Sequence, residues 1–151
     1  MLDTETERTL RTGRTFAVLL LDLDGLKKIN DTYGHLVGSR ALCRVADILR
    51  FHCRAIDTAA RYGGDEFALV LPEAREDEAQ RVVARLHETL AADQEQPPIS
   101  ASIGASVYHG EGERVEKLLA QADQNLYEEK ARRKAVSKVQ DPATRRRLKK
   151  S

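Results

Sequence analysis

Continuous apolar runs alternate with stretches of helical periodicity along this chain. Residues 16–21, read as F-A-V-L-L-L, show no polar alternation and predict a strand that is buried on both faces and central in its sheet. A second run at 67–71 stops at Pro72, and alternating apolar residues over 99–107 predict another strand. Elsewhere apolar residues recur every three or four positions, which is typical of amphipathic helices.

The helical segments are predicted to flank these strands. Five helices are expected, at 3–12, 25–30, 38–53, 73–92 and from 115 to at least 130. Residues 31–34 are predicted to form a turn and residues 108–113 a turn or hairpin, and Ser39 is the predicted N-cap of the third helix. A short strand before the 67–71 run would complete a hairpin. The resulting order of elements predicts an α+β fold, in which helices pack on one mostly antiparallel sheet.

Composition indicates an ordinary globular protein. The 151 residues are most simply one domain, with 41% hydrophobic, 32% charged and 5% aromatic residues. No apolar run approaches the ~20 residues of a membrane span and no signal peptide opens the chain, so the expected compartment is the cytoplasm. Cys43 and Cys53 lack the spacing of a zinc site and are predicted to be reduced, structural thiols.

The net charge of +1 conceals an uneven distribution. Residues 130–151 contain ten Lys or Arg and one acid, whereas the preceding residues contain fifteen basic and twenty-three acidic residues. We therefore expect an acidic domain at 1–136 and a basic tail at 137–151. Such a tail can bind nucleic acid, but the lack of interleaved aromatic residues favours a solvated helix end and linker.

Carboxylates follow two of the apolar runs. Asp22 and Asp24 close the central strand and share a face by period-two alternation. The segment 61–67, R-Y-G-G-D-E-F, predicts a tight hairpin whose glycines adopt positive φ and let an anion approach the backbone. If the two segments are neighbours, Asp22, Asp65 and Glu66 converge, which suits Mg²⁺ and a triphosphate carried by it. Each acid taken singly is equally consistent with a capping or solvated residue.

Nucleotide binding by a common glycine-rich motif is excluded, because neither G-x-x-x-x-G-K nor G-x-G-x-x-G occurs. The first backbone N–H groups of the 25–30 helix offer an alternative, since they lack acceptors within the helix and can hold phosphate oxygens.

Five motifs, in order, resemble the GGDEF domain of diguanylate cyclases. They are D-L-D-G-L-K-K-I-N-D at 22–31, G-H at 34–35, R-Y-G-G-D-E-F at 61–67, S-I-G at 102–104 and A-D-Q-N-L-Y-E-E-K at 122–130. The resemblance covers about 16–136. It implies a palm-like fold, as in nucleotidyl cyclases, and a bacterial signal-transduction enzyme that condenses two GTP into cyclic di-GMP with release of pyrophosphate. It also implies a transient homodimer, because each domain binds one GTP.

The resemblance implies roles for individual residues. The catalytic set is Asp22, Asp65, Glu66 and Lys130. The metal ligands, for two Mg²⁺ ions or alternatively Mn²⁺, are Asp22, Asp65, Glu66 and the carbonyl of Leu23. The substrate-binding residues are Gly25, Leu26, Lys27, Asn30, Ser39, Gly63, Gly64, Lys130 and Lys134, with Asn30 and Ser39 at the base. An R-x-x-D motif, Arg54 and Asp57, together with Arg85 resembles the inhibitory site for cyclic di-GMP. From the residues alone, Arg54 and Asp57 are also consistent with a charge pair at a helix end.

Ser39 departs from the family pattern, which has Asp at this position to accept hydrogen bonds from guanine. A hydroxyl both donates and accepts, so we expect weaker discrimination against adenine and use of ATP as well as GTP. This resembles the hybrid, promiscuous subclass that makes cyclic AMP-GMP. The role of Ser39 as an N-cap is compatible with this one.

Two further departures concern the ends of the motif pattern. Lys134 replaces a usual Arg and keeps the charge without the bidentate fork, for which Arg132 or Arg133 could substitute. The D-x-L-T-G-L-x-N-R segment that usually opens these domains is missing, so we expect an N-terminally truncated fragment without its sensory domain.

The rival hypothesis is a catalytically silent GGDEF-like module that binds GTP or cyclic di-GMP, against which the intact acids and glycines argue.

Overall fold

The structure is a computed structural model that describes residues 2–110, 112–140 and 146–147, with the side chains of 137–140 excluded. Its elements are α1 (Leu2–Thr12), β1 (Phe16–Leu23), α2 (Leu26–Tyr33), α3 (His35–His52), β2 (Thr58–Arg61), β3 (Glu66–Pro72), α4 (Glu76–Ala92), β4 (Ala101–Tyr108) and α5 (Val115–Gln140). The predicted order of elements is confirmed. In this described part of the chain, every helix is too short or too polar to cross a membrane.

The four strands form one antiparallel sheet in the order β2-β3-β1-β4. β1 lies inside this sheet and all eight of its residues are buried, which confirms the interpretation of the apolar run. β1 pairs with β3 so that Asp22 lies opposite Glu66, and with β4 so that Asp22 lies opposite Ser102. The prediction of an α+β, palm-like antiparallel sheet flanked by helices is confirmed.

The two faces of the sheet are covered by different helices. Odd-numbered residues of β1 pack with residues of α2, α3 and α4, among them Ile29, Val45 and Leu86. Even-numbered residues of β1 pack with residues of α5, namely Leu118, Ala122 and Leu126, and with Leu2 of α1. Because side chains alternate along a strand, the even-numbered Asp22 lies on the face that α5 covers.

Helix α5 approaches β4 closely at Gly104. A Cβ atom at Gly104 would lie 2.3 Å from the carbonyl oxygen of Ala122 and 2.3 Å from the backbone nitrogen of Leu126. Only glycine leaves room for two backbones at this separation. The glycine of the S-I-G motif therefore sets how closely α5, and the residues that it carries, approach the sheet.

Several predicted boundaries were wrong. Asp31 to Tyr33 belong to α2 instead of a turn, and Gly34, with φ 92°, separates α2 from α3. Helix α3 begins directly after this glycine, so Ser39 is an exposed residue within the helix and not its N-cap. Helix α4 begins at Glu76 instead of residue 73, because Glu73 has φ 62°.

The remaining differences lie at strand ends and the tail. β1 continues through Asp22 to Leu23, whereas β4 begins at Ala101 and includes Tyr108. Both cysteines are free as predicted, although Cys43 is exposed and so contributes little to packing. Most of the predicted basic tail, at 141–145 and 148–151, lies outside the described residues.

Candidate functional site

Three carboxylates converge where β1 ends and the β2–β3 hairpin turns. The register places Glu66 opposite Asp22, and the N–H of Leu23 donates to the carbonyl oxygen of Asp65 at 3.0 Å. One carboxylate oxygen from each of Asp22, Asp65 and Glu66 lies within 4.8 Å of the others. The sheet thus brings together acids that are more than forty positions apart in the sequence, as the motif pattern predicts.

Asp22 has the least solvated of these carboxylates, being 4% exposed. Its Oδ2 contacts Nζ of Lys130, while its Oδ1 is buried without a hydrogen-bond partner among the described residues. Burial raises the pKa of Asp22 to about 6, an effect that Lys130 opposes and Asp65 reinforces. A buried oxygen without a partner is costly. An oxygen-rich cluster that contains one fits a divalent cation.

Lys130 reaches this cluster from α5. Burial alone lowers its pKa, but the hydrogen bond to Asp22 and the charges of Asp65 and Glu66 raise it above the ordinary value. The Lys130 ammonium group, although far along the sequence from the acids, therefore lies beside them, and the close packing of α5 on β4 holds it there.

The hairpin tip between β2 and β3 is braced by Arg61. Its guanidinium donates to the carbonyl oxygens of Gly63 at 3.2 Å and Gly64 at 2.8 Å. Neither Gly63 nor Gly64 has the positive φ that the sequence predicts, so the predicted conformational reason for these glycines is wrong. Space is tight at Gly63, since a Cβ there would lie 2.6 Å from Oε2 and 3.2 Å from Cβ of Glu66, whereas the space around Gly64 is open.

A cleft of about 900 Å³ opens beside the acids. It is lined by the predicted site residues Asp22, Leu23, Gly25, Leu26, Lys27, Asp65, Lys130 and Lys134, and also by Asp24, Ser100, Glu129, Arg132, Arg133 and Val136. Five of these side chains are basic and four are acidic, and the basic side chains of α5 give the cleft a cationic wall beside its acidic end. This arrangement suits a polyphosphate accompanied by a cation.

Asp24 has structural partners that the sequence did not reveal. Its carboxylate accepts hydrogen bonds from Oγ of Ser100 at 2.8 Å and from Oγ of Ser102 at 2.7 Å. Its N–H donates to the carbonyl oxygen of Ser100 at 2.9 Å. These bonds fasten the turn before α2 to β4 and to Ser100 just before it, next to Gly25, whose φ is 67°. Asp24 thereby positions the first amides of α2 at the cleft.

Arg133, which the sequence predicts only as a possible phosphate ligand, also links α5 to neighbouring elements. It donates to Oε1 of Glu129 at 3.0 Å and to Nδ1 of His87 on α4 at 2.7 Å. Its Nη1 lies 3.6 Å from Oδ2 of Asp24. Burial, followed by the charge of Arg133, lowers the pKa of His87, which favours the neutral ring that accepts this bond.

The predicted base-binding residues lie at the junction of α2 and α3. Asn30 is half-buried, and its carboxamide lies against the backbone of Gly38, the residue before Ser39. The fold thus places Asn30 next to the α3 turn that carries Ser39. Neither residue is among those that line the cleft, although Leu26, one turn before Asn30 on α2, is.

The motif pattern agrees with a family profile described as "Diguanylate cyclase, GGDEF domain", which matches residues 1–135. The chain belongs to the GGDEF family. A curated relative of this GGDEF domain is MucR of Pseudomonas aeruginosa, a bifunctional diguanylate cyclase/cyclic di-GMP phosphodiesterase. The two are 41% identical over 134 residues, which cover 85% of this chain and 19% of MucR. The chain spans between 19% and 33% of the length of the curated relatives that it resembles.

Solved structures show the same fold. The GGDEF domain of YfiN or TpbB from Pseudomonas aeruginosa superposes with a TM-score of 0.80 at 31% identity, covering 87% of this chain and 85% of the other. The GGDEF domain of DgcB from Caulobacter crescentus, solved in complex with c-di-GMP, has a TM-score of 0.80 at 26% identity and covers 86% and 80%.

The R-x-x-D motif of this GGDEF domain forms a charge pair after α3. Nη2 of Arg54 lies 3.0 Å from Oδ1 of Asp57 and donates to the carbonyl oxygen of Pro72 at 2.9 Å. The Asp57 carboxylate also accepts from the Arg54 N–H at 2.7 Å, and it raises the pKa of Arg54. Arg85 is exposed on α4 and, after burial, is the second cause that lowers the pKa of His52. Binding of cyclic di-GMP by Arg54, Asp57 and Arg85 stays a prediction.

Proposed function

We propose that this GGDEF domain is a divalent-metal-dependent nucleotidyltransferase that condenses two GTP into cyclic di-GMP. The observation that carries the proposal is the cluster of Asp22, Asp65 and Glu66, with Lys130 in contact with it, beside a cleft with a basic wall. The relationship to MucR, which is named as a diguanylate cyclase, supports the same activity.

Different residues of the chain are proposed to bind the metal ions and the phosphates. Asp22, Asp65, Glu66 and the Leu23 carbonyl are the proposed ligands of two Mg²⁺ ions. When bound, such ions polarise the α-phosphorus and lower the pKa of the attacking hydroxyl. The Gly25 and Leu26 amides, with Lys27 and Lys130, hold the phosphates, and Arg132, Arg133 and Lys134 supply further positive charge.

The reaction needs two copies of the domain, since each is proposed to hold one GTP. The 3′-hydroxyl oxygen of each nucleotide attacks the α-phosphorus of the other. Each new P–O bond forms as the bond to pyrophosphate breaks, so two pyrophosphates leave and the hydroxyl protons pass to solvent. The protein's contribution is positioning and electrostatic stabilisation.

The proposal predicts that the purified protein, incubated with Mg²⁺ and GTP, forms cyclic di-GMP detectable by mass spectrometry. Fusion to a parallel coiled coil raises the effective concentration of the second copy and is expected to increase the rate. If the fused dimer binds GTP without forming any dinucleotide, the enzyme proposal is wrong and the silent binding module is correct. Cyclic di-GMP added to the same assay tests the proposed product site at Arg54, where it is expected to slow turnover.

We further propose that Ser39 relaxes base selection enough to admit ATP. Ser39 is exposed within α3 and is not occupied as a cap, so its hydroxyl is available to a base. With equal GTP and ATP, the wild type is expected to form cyclic AMP-GMP together with cyclic di-GMP. Ser39→Asp should shift the product toward cyclic di-GMP by about tenfold or more, because a carboxylate accepts from both guanine donors. An unchanged product ratio would show that base selection is determined elsewhere.

A further inference from the structure

The junction of α2 and α3 contains a tight contact between Asn30 and Gly38. A Cβ atom at Gly38 would lie 1.8 Å from Oδ1 and 2.9 Å from Cγ of Asn30, and 3.3 Å from Cδ1 of Leu26. The first two distances are far below van der Waals contact. The Asn30 carboxamide therefore occupies the space that any other residue at position 38 would fill.

Backbone hydrogen bonds hold this contact in place. The N–H of Gly34 donates to the carbonyl oxygen of Asn30 at 2.9 Å, and the N–H of Gly38 donates to the carbonyl oxygen of Gly34 at 3.2 Å. Asn30, Gly34 and Gly38 thus follow one another at intervals of four residues across the junction. This chain of bonds fixes the backbone of Asn30 relative to the helix that carries Ser39.

Gly38 is not required by the conformation of its own backbone. It lies in the first turns of α3, outside the left-handed region that Gly34 adopts with φ 92°. In a helix, alanine is more favourable than glycine. Alanine would therefore suit α3 better at this position. Glycine is found there because it leaves room for the Asn30 side chain that packs against it.

We propose that Gly38 is a positioning residue for base recognition. By having no side chain, it lets the Asn30 carboxamide lie against α3, beside the turn that presents Ser39. Two base-contacting groups that lie nine positions apart in the sequence are thereby brought to one place. This inference rests on the proposed function, because Asn30 and Ser39 matter only if the domain binds a nucleotide.

The test compares Gly38→Ala, Asn30→Ala and the double variant, each fused to the same coiled coil. Gly38→Ala is expected to raise KM for GTP about tenfold with little change in kcat, the pattern of a lost binding contact. Asn30→Ala should do the same. The double variant should be no worse than Asn30→Ala, because both changes remove one interaction. Leu36→Ala, at an 89% exposed residue of the same helix, is the matched control and should leave KM unchanged.

A measurement without nucleotide separates this inference from the proposed function. In nucleotide-free protein, the side-chain amide signals of Asn30 in an ¹⁵N–¹H spectrum should shift in Gly38→Ala and stay in place in Leu36→Ala. The melting temperature of Gly38→Ala should be equal to or higher than that of the wild type. If Gly38→Ala fails to fold, Gly38→Ala with Asn30→Ser is expected to restore folding, since the shorter side chain vacates the space, while KM stays high.

Three results would overturn the inference. Unchanged KM and unchanged Asn30 signals in Gly38→Ala, with an active wild type, would show that Asn30 does not depend on Gly38. A double variant much worse than Asn30→Ala would show that Gly38 acts by another route. A wild type that neither binds nor converts GTP would overturn the proposed function and this inference with it.

Discussion

Replacing Asp22 by asparagine is expected to lower the rate of cyclic di-GMP formation by about a thousandfold or more. Asparagine keeps the shape of the side chain but removes its charge at the most buried point of the acidic cluster. The variant loses a proposed cation ligand, and Lys130 loses the carboxylate that it contacts. The rate should be measured in the coiled-coil dimer, and Mn²⁺ affinity should be measured by calorimetry on the same protein, where it is also expected to fall.

The control for this variant is Asp47→Asn. Asp47 is an exposed acid on α3 whose carboxylate faces Arg50 at 3.5 Å on the surface. Its replacement changes the net charge by the same amount and should leave both the rate and the Mn²⁺ affinity unchanged. If Asp22→Asn keeps a rate within a few-fold of the wild type, the proposed assignment of the metal site is incorrect.

Gly104→Ala is expected to have the largest effect on stability. The added methyl group would lie 2.3 Å from backbone atoms of both Ala122 and Leu126, which cannot rotate away as a side chain could. Helix α5 would have to move away from the sheet, and the packing of Leu118 and Leu126 would loosen. We expect the free energy of unfolding, measured by urea denaturation, to fall by about 3 kcal/mol or more. This is a large share of the roughly 5–15 kcal/mol that is typical of a domain.

Gly64→Ala provides the matched control for Gly104→Ala. A Cβ at Gly64 would meet no atom within 4 Å, and its φ lies outside the left-handed region. Its unfolding midpoint should therefore stay close to that of the wild type, within about 0.5 kcal/mol in free energy. Equal midpoints for Gly104→Ala and Gly64→Ala would show that α5 does not depend on this close approach.

Much of the fold follows from local patterns in the sequence. Residues 16–21 form a fully buried strand because an unbroken apolar run can be accommodated only between two layers. The acids Asp22, Asp65 and Glu66 could be predicted to share one site because they stand at the ends of two apolar runs, 16–21 and 67–71. The placement of Lys130 beside Asp22 could be predicted only from the motif resemblance, since no periodicity relates two residues more than a hundred positions apart.

The wrong sequence-based predictions share a physical cause. Each depended either on a contact with a residue distant in the sequence or on a backbone conformation that the local pattern does not show. Ser39 has the chemistry of an N-cap, but the positive φ of Gly34 starts α3 earlier. Asp24 is held by serines more than seventy positions away, which no local pattern pairs with it. The sequence predicts a positive φ for Gly63 and not a steric constraint, because the Glu66 carboxylate comes close to Gly63 only in the folded hairpin.

The burial of both faces of β1 makes the site sensitive to strand length. One additional residue between Phe16 and Asp22 would reverse the side chains that follow it and turn the carboxylate toward the face covered by α3 and α4. Two additional residues would restore the face but displace the carboxylate by about 6.6 Å along the strand. An odd-length insertion in this strand would therefore disable the site while every one of its residues remained in the sequence. For sequences related to this chain, the number of residues between the start of the strand and the aspartate is as informative as the motif itself.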